Sequence, residues 1–328
     1  MTDALPPSPA TPDERNRSIG RAFISHSTSN RIVGALDSIY GLQGSRHFGQ
    51  IVAIQGTSHV GKSTALDFWM IRLAEQLGGI TENLARNQER VNEAANVSYV
   101  TMMDGPQRIH PVIRIQIIGN PTFRALGDDT LRGLVRGRPD PWKNGGDLAS
   151  ALTNKLVAFR TKLVIYEDIQ ELAKVKGARA NEAVVLLRAL CKVARVEVAA
   201  VGTEGTFKIL KSENETQKLV ADWIELSPLA PPDFEKEKPG EFVTFLSKLK
   251  KKLLFPKESP LDEKQLALML WSYCGGVIGE IKSLMQSATD TATRQGWDCI
   301  DRTALRKHLE LKQKKFGRDN PFFLPGDE

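Results

Sequence analysis

Nine consecutive residues, Gly56-Thr57-Ser58-His59-Val60-Gly61-Lys62-Ser63-Thr64, have the types and spacing needed to hold a chain of phosphates. They fit G-x-x-x-x-G-K-[ST] at every position. Gly56 and Gly61 let the backbone wrap closely, so that successive N–H groups point inward at an anion. Lys62 supplies a cation for the β- and γ-phosphates, and Ser63 supplies a hydroxyl for Mg²⁺. The expected cofactors are therefore ATP and Mg²⁺.

A second constellation lies downstream. Lys162-Leu163-Val164-Ile165-Tyr166 is an apolar strand that ends in two acids, Glu167 and Asp168. A phosphate loop works beside such a strand, one carboxylate in the Mg²⁺ shell and a second polarising the attacking water. The usual order is Asp then Glu. Here Glu167 comes first and is the expected metal-side acid with Ser63, and Asp168 is the expected water-polarising acid. The exchange of lengths predicts nucleotide binding with slow hydrolysis. A third strand, Val196–Val201, ends at Gly202-Thr203, where a polar residue can reach the γ-phosphate.

The elements that must position these residues are legible around them. Ile51-Val52-Ala53-Ile54 is a β-branched apolar run, as a buried parallel strand requires. Leu66, Trp69, Met70 and Leu73 follow at helical spacing, and Gly78-Gly79 supplies a stop. Upstream, Ile32, Leu36 and Ile39 predict a helix, with Phe23 and Ile24 ahead of it as candidate contacts to the adenine. Val97–Met103 and Val112–Ile118 read as strands separated by the turn Asp104-Gly105-Pro106. The first reads as an edge strand or the arm of an inserted hairpin. Arg108 and His110 are expected exposed in the connection. Helices follow through Leu126, Leu131 and Leu134 and through Leu148, Leu152 and Leu156. Pro228, Pro231 and Pro232 mark a boundary. Beyond it four helices are expected, at Glu241–Leu254, Asp262–Tyr273, Val277–Arg294 and Thr303–Lys314.

Composition limits the class. The chain has 328 residues, 41% hydrophobic and 26% charged, as a soluble globular protein does. No apolar run is long enough to span a bilayer, so no membrane partner is expected. Residues 1–20 are rich in Pro, Ser and charge and read as a disordered tail. Cys191, Cys274 and Cys299 are too scattered for disulfides or a zinc site, which predicts a reducing cytoplasm and no structural metal. The net charge of +6 permits a nucleic-acid partner. Arg108, Arg124, Lys174, Lys176 and Arg179, all in or beside loops, are the candidate DNA contacts. The run Lys248, Lys250, Lys251, Lys252 reads as a solvated helix face or a further nucleic-acid surface.

These parts resemble the AAA+ plan, and more narrowly the TniB/TnsC group of bacterial transposition ATPases. The matching stretches are GTSHVGKST, TKLVIYEDIQEL, VAAVGTEGTFKIL and GGVIGEIKSLMQSA, within residues 23–294. The resemblance implies an α/β AAA+ P-loop αβα core with a parallel sheet over residues 21–229 and a small all-helical lid over 230–315. It implies oligomerisation as a ring or helical filament on double-stranded DNA when ATP is bound. It also implies recruitment of a transposase, with target-selection proteins as partners, in a bacterial cytoplasm. By position it assigns Gly56 to Thr64 to nucleotide, Ser63 and Glu167 to Mg²⁺, and Thr203 to the sensor. Two departures stand out. The arginine finger expected before the strand at Trp223 is replaced by Val220-Ala221-Asp222, with Lys208, Lys211 and Lys218 nearby. The lid sensor position holds Gly279-Glu280, with Lys282 the nearest cation and hence a candidate nucleotide contact.

Two other readings compete. A replication-initiator AAA+ ATPase would carry a winged-helix or helix-turn-helix reader, and no such pattern is seen after Arg294. A P-loop kinase would have no DNA partner. The tail 316–328, with Phe322, Phe323 and Leu324 between Pro321 and Pro325, reads either as a partner-docking peptide or as a segment folded back on the lid.

Overall fold

A computed structural model of the chain describes residues 10–44, 47–82, 96–119, 122–134, 145–174, 178–235, 239–324 and 326. In chain order the elements begin with helices α1 (Pro12–Arg21) and α2 (Ser27–Leu42), strand β1 (Ile51–Gly56) and helix α3 (Lys62–Gln76). Strands β2 (Ile80–Glu82), β3 (Val97–Asp104) and β4 (Gln107–Gln116) precede helices α4 (Phe123–Leu134) and α5 (Gly145–Ala158). Next come strand β5 (Leu163–Glu167), helix α6 (Ala178–Ala189), strand β6 (Glu197–Gly202), short helices α7 (Thr206–Lys211) and α8 (Asn214–Gln217), and strand β7 (Val220–Leu226). Helices α9 (Glu241–Lys250), α10 (Lys264–Cys274), α11 (Ile278–Gln295) and α12 (Arg302–His308) complete the order. The described residues form two packing units. One holds Ser29–Ser58 and Lys62–Ser227; the other holds the residues up to Thr28, the loop tip His59–Gly61 and the residues from Pro228 onward.

The first unit is built on a seven-stranded sheet in the order β2-β3-β4-β5-β6-β1-β7. Strands β4, β5, β6, β1 and β7 run parallel. Every residue of β5 and β6 is buried, as strands covered on both faces must be. Because these strands are parallel, Gly56, Glu167 and Gly202 all finish at one edge of the sheet, where α/β proteins place their ligands.

The sheet is mixed rather than wholly parallel. β3 pairs antiparallel with β4, and β2 pairs antiparallel with β3, so β3 is an inner strand and β2 forms the edge. β4 also starts earlier than its apolar run. The turn at Asp104-Gly105-Pro106 is tight, with Gly105 at φ 60°, so pairing continues down to Asp104 opposite Gln107. Arg108 and His110 are therefore strand residues, not loop residues. His110 is buried between Tyr99 and Phe159, with ring centroids 4.7 and 4.9 Å away, and its Nδ1 lies 3.0 Å from the Thr101 hydroxyl.

The second unit packs α9–α12 around Phe242, Phe245, Leu246, Leu270, Ile281 and Met285. Its helices begin and end within a few residues of the expected spans, and α12 continues into a π-helical turn, Leu309–Gln313. The disordered reading of residues 1–20 is overturned for the part described. Thr11 and Glu14 form a capping box, Pro12 opens α1, and Ile19 is buried in the same core as α9–α12. The Arg15 guanidinium donates to the Leu254 carbonyl at 3.2 Å and lies 4.4 Å from the Phe255 ring centre. Among the described residues no helix is long and apolar enough to cross a membrane.

The C-terminal segment is folded back. Phe322 is fully buried, and its ring centre lies 6.2 Å from that of Tyr273. Asn320 fixes the approach by donating to the Arg306 carbonyl at 2.9 Å and accepting from the Phe322 N–H at 3.0 Å. Phe322 is thus a core residue and not an exposed docking anchor, whereas Phe316 is exposed. We expect Phe322→Ala to destabilise this unit by about 3–5 kcal/mol through the cavity it leaves. Phe316→Ala should stay within about 0.5 kcal/mol of the unchanged chain. Urea unfolding of the two variants measures the contrast, and equal midpoints would show that the segment is not packed.

Candidate active site

The loop after β1 takes the conformation its glycines allow. Gly61 sits at φ 99°, a region closed to residues with a side chain, and His59 at φ 62°. α3 starts at Lys62, which places the positive end of that helix behind the loop. The Lys62 ammonium is buried and donates to the carbonyls of Gly56 and Thr57, both at 2.8 Å. Burial pulls its pKa down, and the charges of Asp168 and Glu167 oppose that.

The two halves of the motif meet through Ser63, whose hydroxyl donates to Glu167 Oε1. Glu167 Oε2 accepts from Arg114 on β4, from Nε at 2.9 Å and from one terminal nitrogen. The other terminal nitrogen of Arg114 reaches Asp67 on α3. Arg114, Asp67 and Glu167 are all buried. Burial alone would lower the Arg114 pKa, but the two carboxylates outweigh it and the net direction is upward.

Asp168 follows at the end of β5 in a left-handed conformation, φ 61°, which Asp tolerates better than most residues. Two side-chain amides fix its carboxylate: Gln116 donates to Oδ2 at 3.0 Å, and Gln170 donates to Oδ1 at 3.1 Å. The Gln170 oxygen in turn accepts from the Thr203 N–H at 2.9 Å. The end of β6 and the Asp168 carboxylate are therefore joined by one glutamine. Ser63, Glu167 and Asp168 present hard oxygen donors beside a buried ammonium, a set that suits Mg²⁺ and a triphosphate.

In the helical unit, the loop tip meets α11. The Gly279 N–H donates to the His59 carbonyl at 2.8 Å. A Cβ on Gly279 would lie 2.7 Å from His59 Cβ and 2.8 Å from its carbonyl oxygen, so this position admits only glycine. His26 is buried with its ring at 83° to that of Phe245, and its Nε2 lies 3.8 Å from where a Cβ on Gly61 would stand. Burial is the chief cause that pushes the His26 pKa down to about 4, with Glu241 opposing and Lys248 adding to the fall.

Other expected contacts are placed differently. Lys282 donates to the carbonyls of Gly20 and Ala22 at 3.3 and 3.0 Å, which closes the C-terminal end of α1. Phe23 is half-buried, next to Ile24 in the helical core. Arg108 pairs with Glu82 across the antiparallel strands. Lys176 and the side chains of Arg124, Lys174 and Arg179 lie outside the described residues. Of the finger substitutes, Lys211 sits 5.0 Å from the Trp223 ring centre, and Lys218 donates to Glu215 at 2.8 Å. Lys248 donates to the Ser25 carbonyl at 3.1 Å, and Lys250 to Asp262 at 3.0 Å, so half of that basic run is spent on internal bonds.

Arg114, Asp67, Gln116 and Gln170 were not found by sequence reasoning. The available signal was a lone charge inside the run Val112-Ile113-Arg114-Ile115, which demands a buried partner.

No protein-family model and no curated protein matches this chain. Among solved structures it is similar to the ORC1 protein of Aeropyrum pernix in complex with DNA, at 12% identity over 92% of this chain and 70% of that one, with a TM-score of 0.60. It is similar to the ORC2 protein of the same organism, at 13% identity over 90% and 71%, TM-score 0.59. It is also similar to Cdc6p from Pyrobaculum aerophilum, at 12% identity over 90% and 70%, TM-score 0.54. Likeness at this identity shows the fold, the AAA+ P-loop αβα arrangement with a helical lid.

The steric limit at Gly279 can be measured. Gly279→Ala forces backbone apart and should destabilise by about 1–3 kcal/mol. The exposed neighbour Glu280→Ala should change stability by no more than about 0.5 kcal/mol. Thermal unfolding of both decides; a Gly279→Ala chain as stable as its parent rules the contact out.

Proposed function

We propose that this chain is an ATP-dependent, DNA-binding AAA+ ATPase that regulates DNA transposition. The observation that carries the nucleotide reading is the bond from Ser63 to Glu167, which joins the phosphate loop to the acid-tipped strand. Loop N–H groups and Lys62 hold the phosphates. Ser63 would hold Mg²⁺ directly and Glu167 would support its shell through the Ser63 hydroxyl, and the ion would supply charge to offset the phosphate oxygens. Asp168 orients the attacking water and takes its proton at a carboxylate oxygen, and Thr203 senses the γ-phosphate through the strand end that Gln170 supports.

The transposition assignment is supported by GGVIGEIKSLMQSA and VAAVGTEGTFKIL, which resemble the TniB/TnsC group. The proposed partners are double-stranded DNA, other copies of this chain in a ring or filament, a transposase and a target-selection protein. A replication-initiator role is the second reading. It is favoured by the solved structures of ORC1 in complex with DNA and of Drosophila ORC bound to DNA, the latter at 10% identity and TM-score 0.56. ATP-dependent stimulation of strand transfer on the bound DNA supports the first reading, and loading of a replicative helicase supports the second.

Two variants test the chemistry. Lys62→Ala should abolish ATP binding and ATP-dependent retention on DNA while the chain stays folded. Asp168→Asn should keep ATP binding and lower turnover by about 10²–10⁴-fold, as loss of a general base does. Equilibrium binding of a fluorescent ATP analogue and phosphate release measure the two, and unchanged turnover in Asp168→Asn would reassign the base.

For DNA, we propose backbone contact by Arg124 and the Lys174, Lys176, Arg179 segment, independent of sequence and sensitive to salt. Replacing those three segment cations by Gln should flatten the slope of log affinity against log salt by about 0.9 per lost phosphate contact. An unchanged slope excludes the segment.

A further inference from the structure

Strand β4 carries one charge in its buried middle. Arg114 is 8% exposed, and its neighbours Ile113 and Ile115 are fully buried. A guanidinium in such a place persists only when its charge and its donors are matched. The matching is specific. Two nitrogens converge on a single oxygen of Glu167, and a third reaches Asp67 one helical turn after Ser63. The remaining Glu167 oxygen accepts the Ser63 hydroxyl. One side chain therefore ties together α3, β4 and β5 beneath the phosphate loop.

We propose that Arg114 is the positioning residue of the metal-binding pair: by holding Glu167 Oε2 it commits Oε1 to the Ser63 proton, which leaves the Ser63 oxygen lone pairs for Mg²⁺. The arrangement also explains how the exchanged acids work. Glu167 is one methylene longer than an Asp at this strand end, and Arg114 draws it back from the side of the sheet. A hydroxyl has one proton to donate. Once Glu167 takes that proton, the serine is fixed as an acceptor toward a cation. Asp67 plays no direct part in the site; it completes the guanidinium's charge balance from α3. This inference rests on the proposed nucleotide reading.

The test reads binding, not turnover. A fluorescent ATP analogue is titrated against the full-length chain in EDTA and again at increasing Mg²⁺. Arg114→Lys keeps the charge but loses the forked geometry. It should bind the analogue in EDTA as the parent does, while the Mg²⁺ concentration for half-maximal tightening rises about tenfold, as loss of a residue supporting a metal ligand does. Ser63→Ala should show the same loss, and adding Arg114→Lys to Ser63→Ala should cost nothing more, because both act through one hydroxyl. If Arg114→Lys does not fold, the charge-balanced pair Arg114→Gln with Asp67→Asn replaces it with the same expectation. A merely structural arginine would instead weaken binding equally with and without Mg²⁺, in step with the melting temperature. That result, or additive losses in the double variant, overturns the proposal. If the unchanged chain binds no analogue in either condition, the nucleotide reading itself fails and takes this inference with it.

Discussion

Ionised groups buried beneath the phosphate loop are the constraint on which the sheet unit depends. Lys62 and Arg114 are positive, Asp67 and Glu167 negative, and none is more than 8% exposed. Each alone would be expelled or neutralised in such surroundings. Together their formal charges cancel, and each is tied by hydrogen bonds to loop carbonyls, to Ser63 or to one another. The sites they bridge come from β1's loop, α3, β4 and β5. These elements cannot shift independently without leaving a charge unmatched, so the chain itself holds the site together.

The sheet order is what makes that matching possible. β6 lies between β1 and β5, so the loop after β1 and the acids after β5 stand one strand apart, with Thr203 between them. β4 lies on the far side of β5, and its last residues, Arg114 and Gln116, pair in register with Ile165 and Glu167. Arg114 can therefore reach Glu167, while Gln116 reaches Asp168. The antiparallel strands β3 and β2 sit outboard of β4. β3 pairs along nearly the whole of β4, and Arg108 of β4 pairs with Glu82 of β2.

Much of this was legible because the strongest signals are local. A glycine loop between a β-branched strand and an amphipathic helix needs no tertiary information, and neither do the acids after Tyr166 or the four lid helices. What was missed depends on partners distant in sequence. α1 is strongly polar; its Thr11–Glu14 capping box and Pro12 are local signals, but the burial of Ile19 and the seat of Arg15 against Leu254 and Phe255 are not. Phe322 looked like an exposed anchor because nothing nearby in sequence covers it; its cover is Tyr273 and the helical core, some fifty positions earlier. Lys282 looked like a nucleotide cation because of its place in α11, whereas it donates to the Gly20 and Ala22 carbonyls at the C-terminal end of α1. Arg108 and His110 were assigned to a loop because a polar pair beside a turn reads that way, although the hairpin register carries both into β4.

The same accounting distinguishes the two acids. An ionised carboxylate offers about four acceptor positions. On Glu167, three are occupied, two by Arg114 and one by Ser63. On Asp168, two are occupied, by the amides of Gln116 and Gln170, and the residue is half-buried rather than buried. Asp168 thus keeps more acceptor capacity and more access to water than Glu167. The order of the acids in the chain is reversed, but the division of labour follows from their surroundings: the longer acid is tied back and charge-matched, and the shorter one is held by neutral donors at the strand end. Side-chain length alone predicted a misplaced base. The two glutamines supply the restraint that length does not, one from the neighbouring strand and one from the turn after β5, and the second also reaches the Thr203 backbone. A carboxylate restrained from both sides has few rotamers left to lose, so in the proposed role of base Asp168 would be placed at low entropic cost.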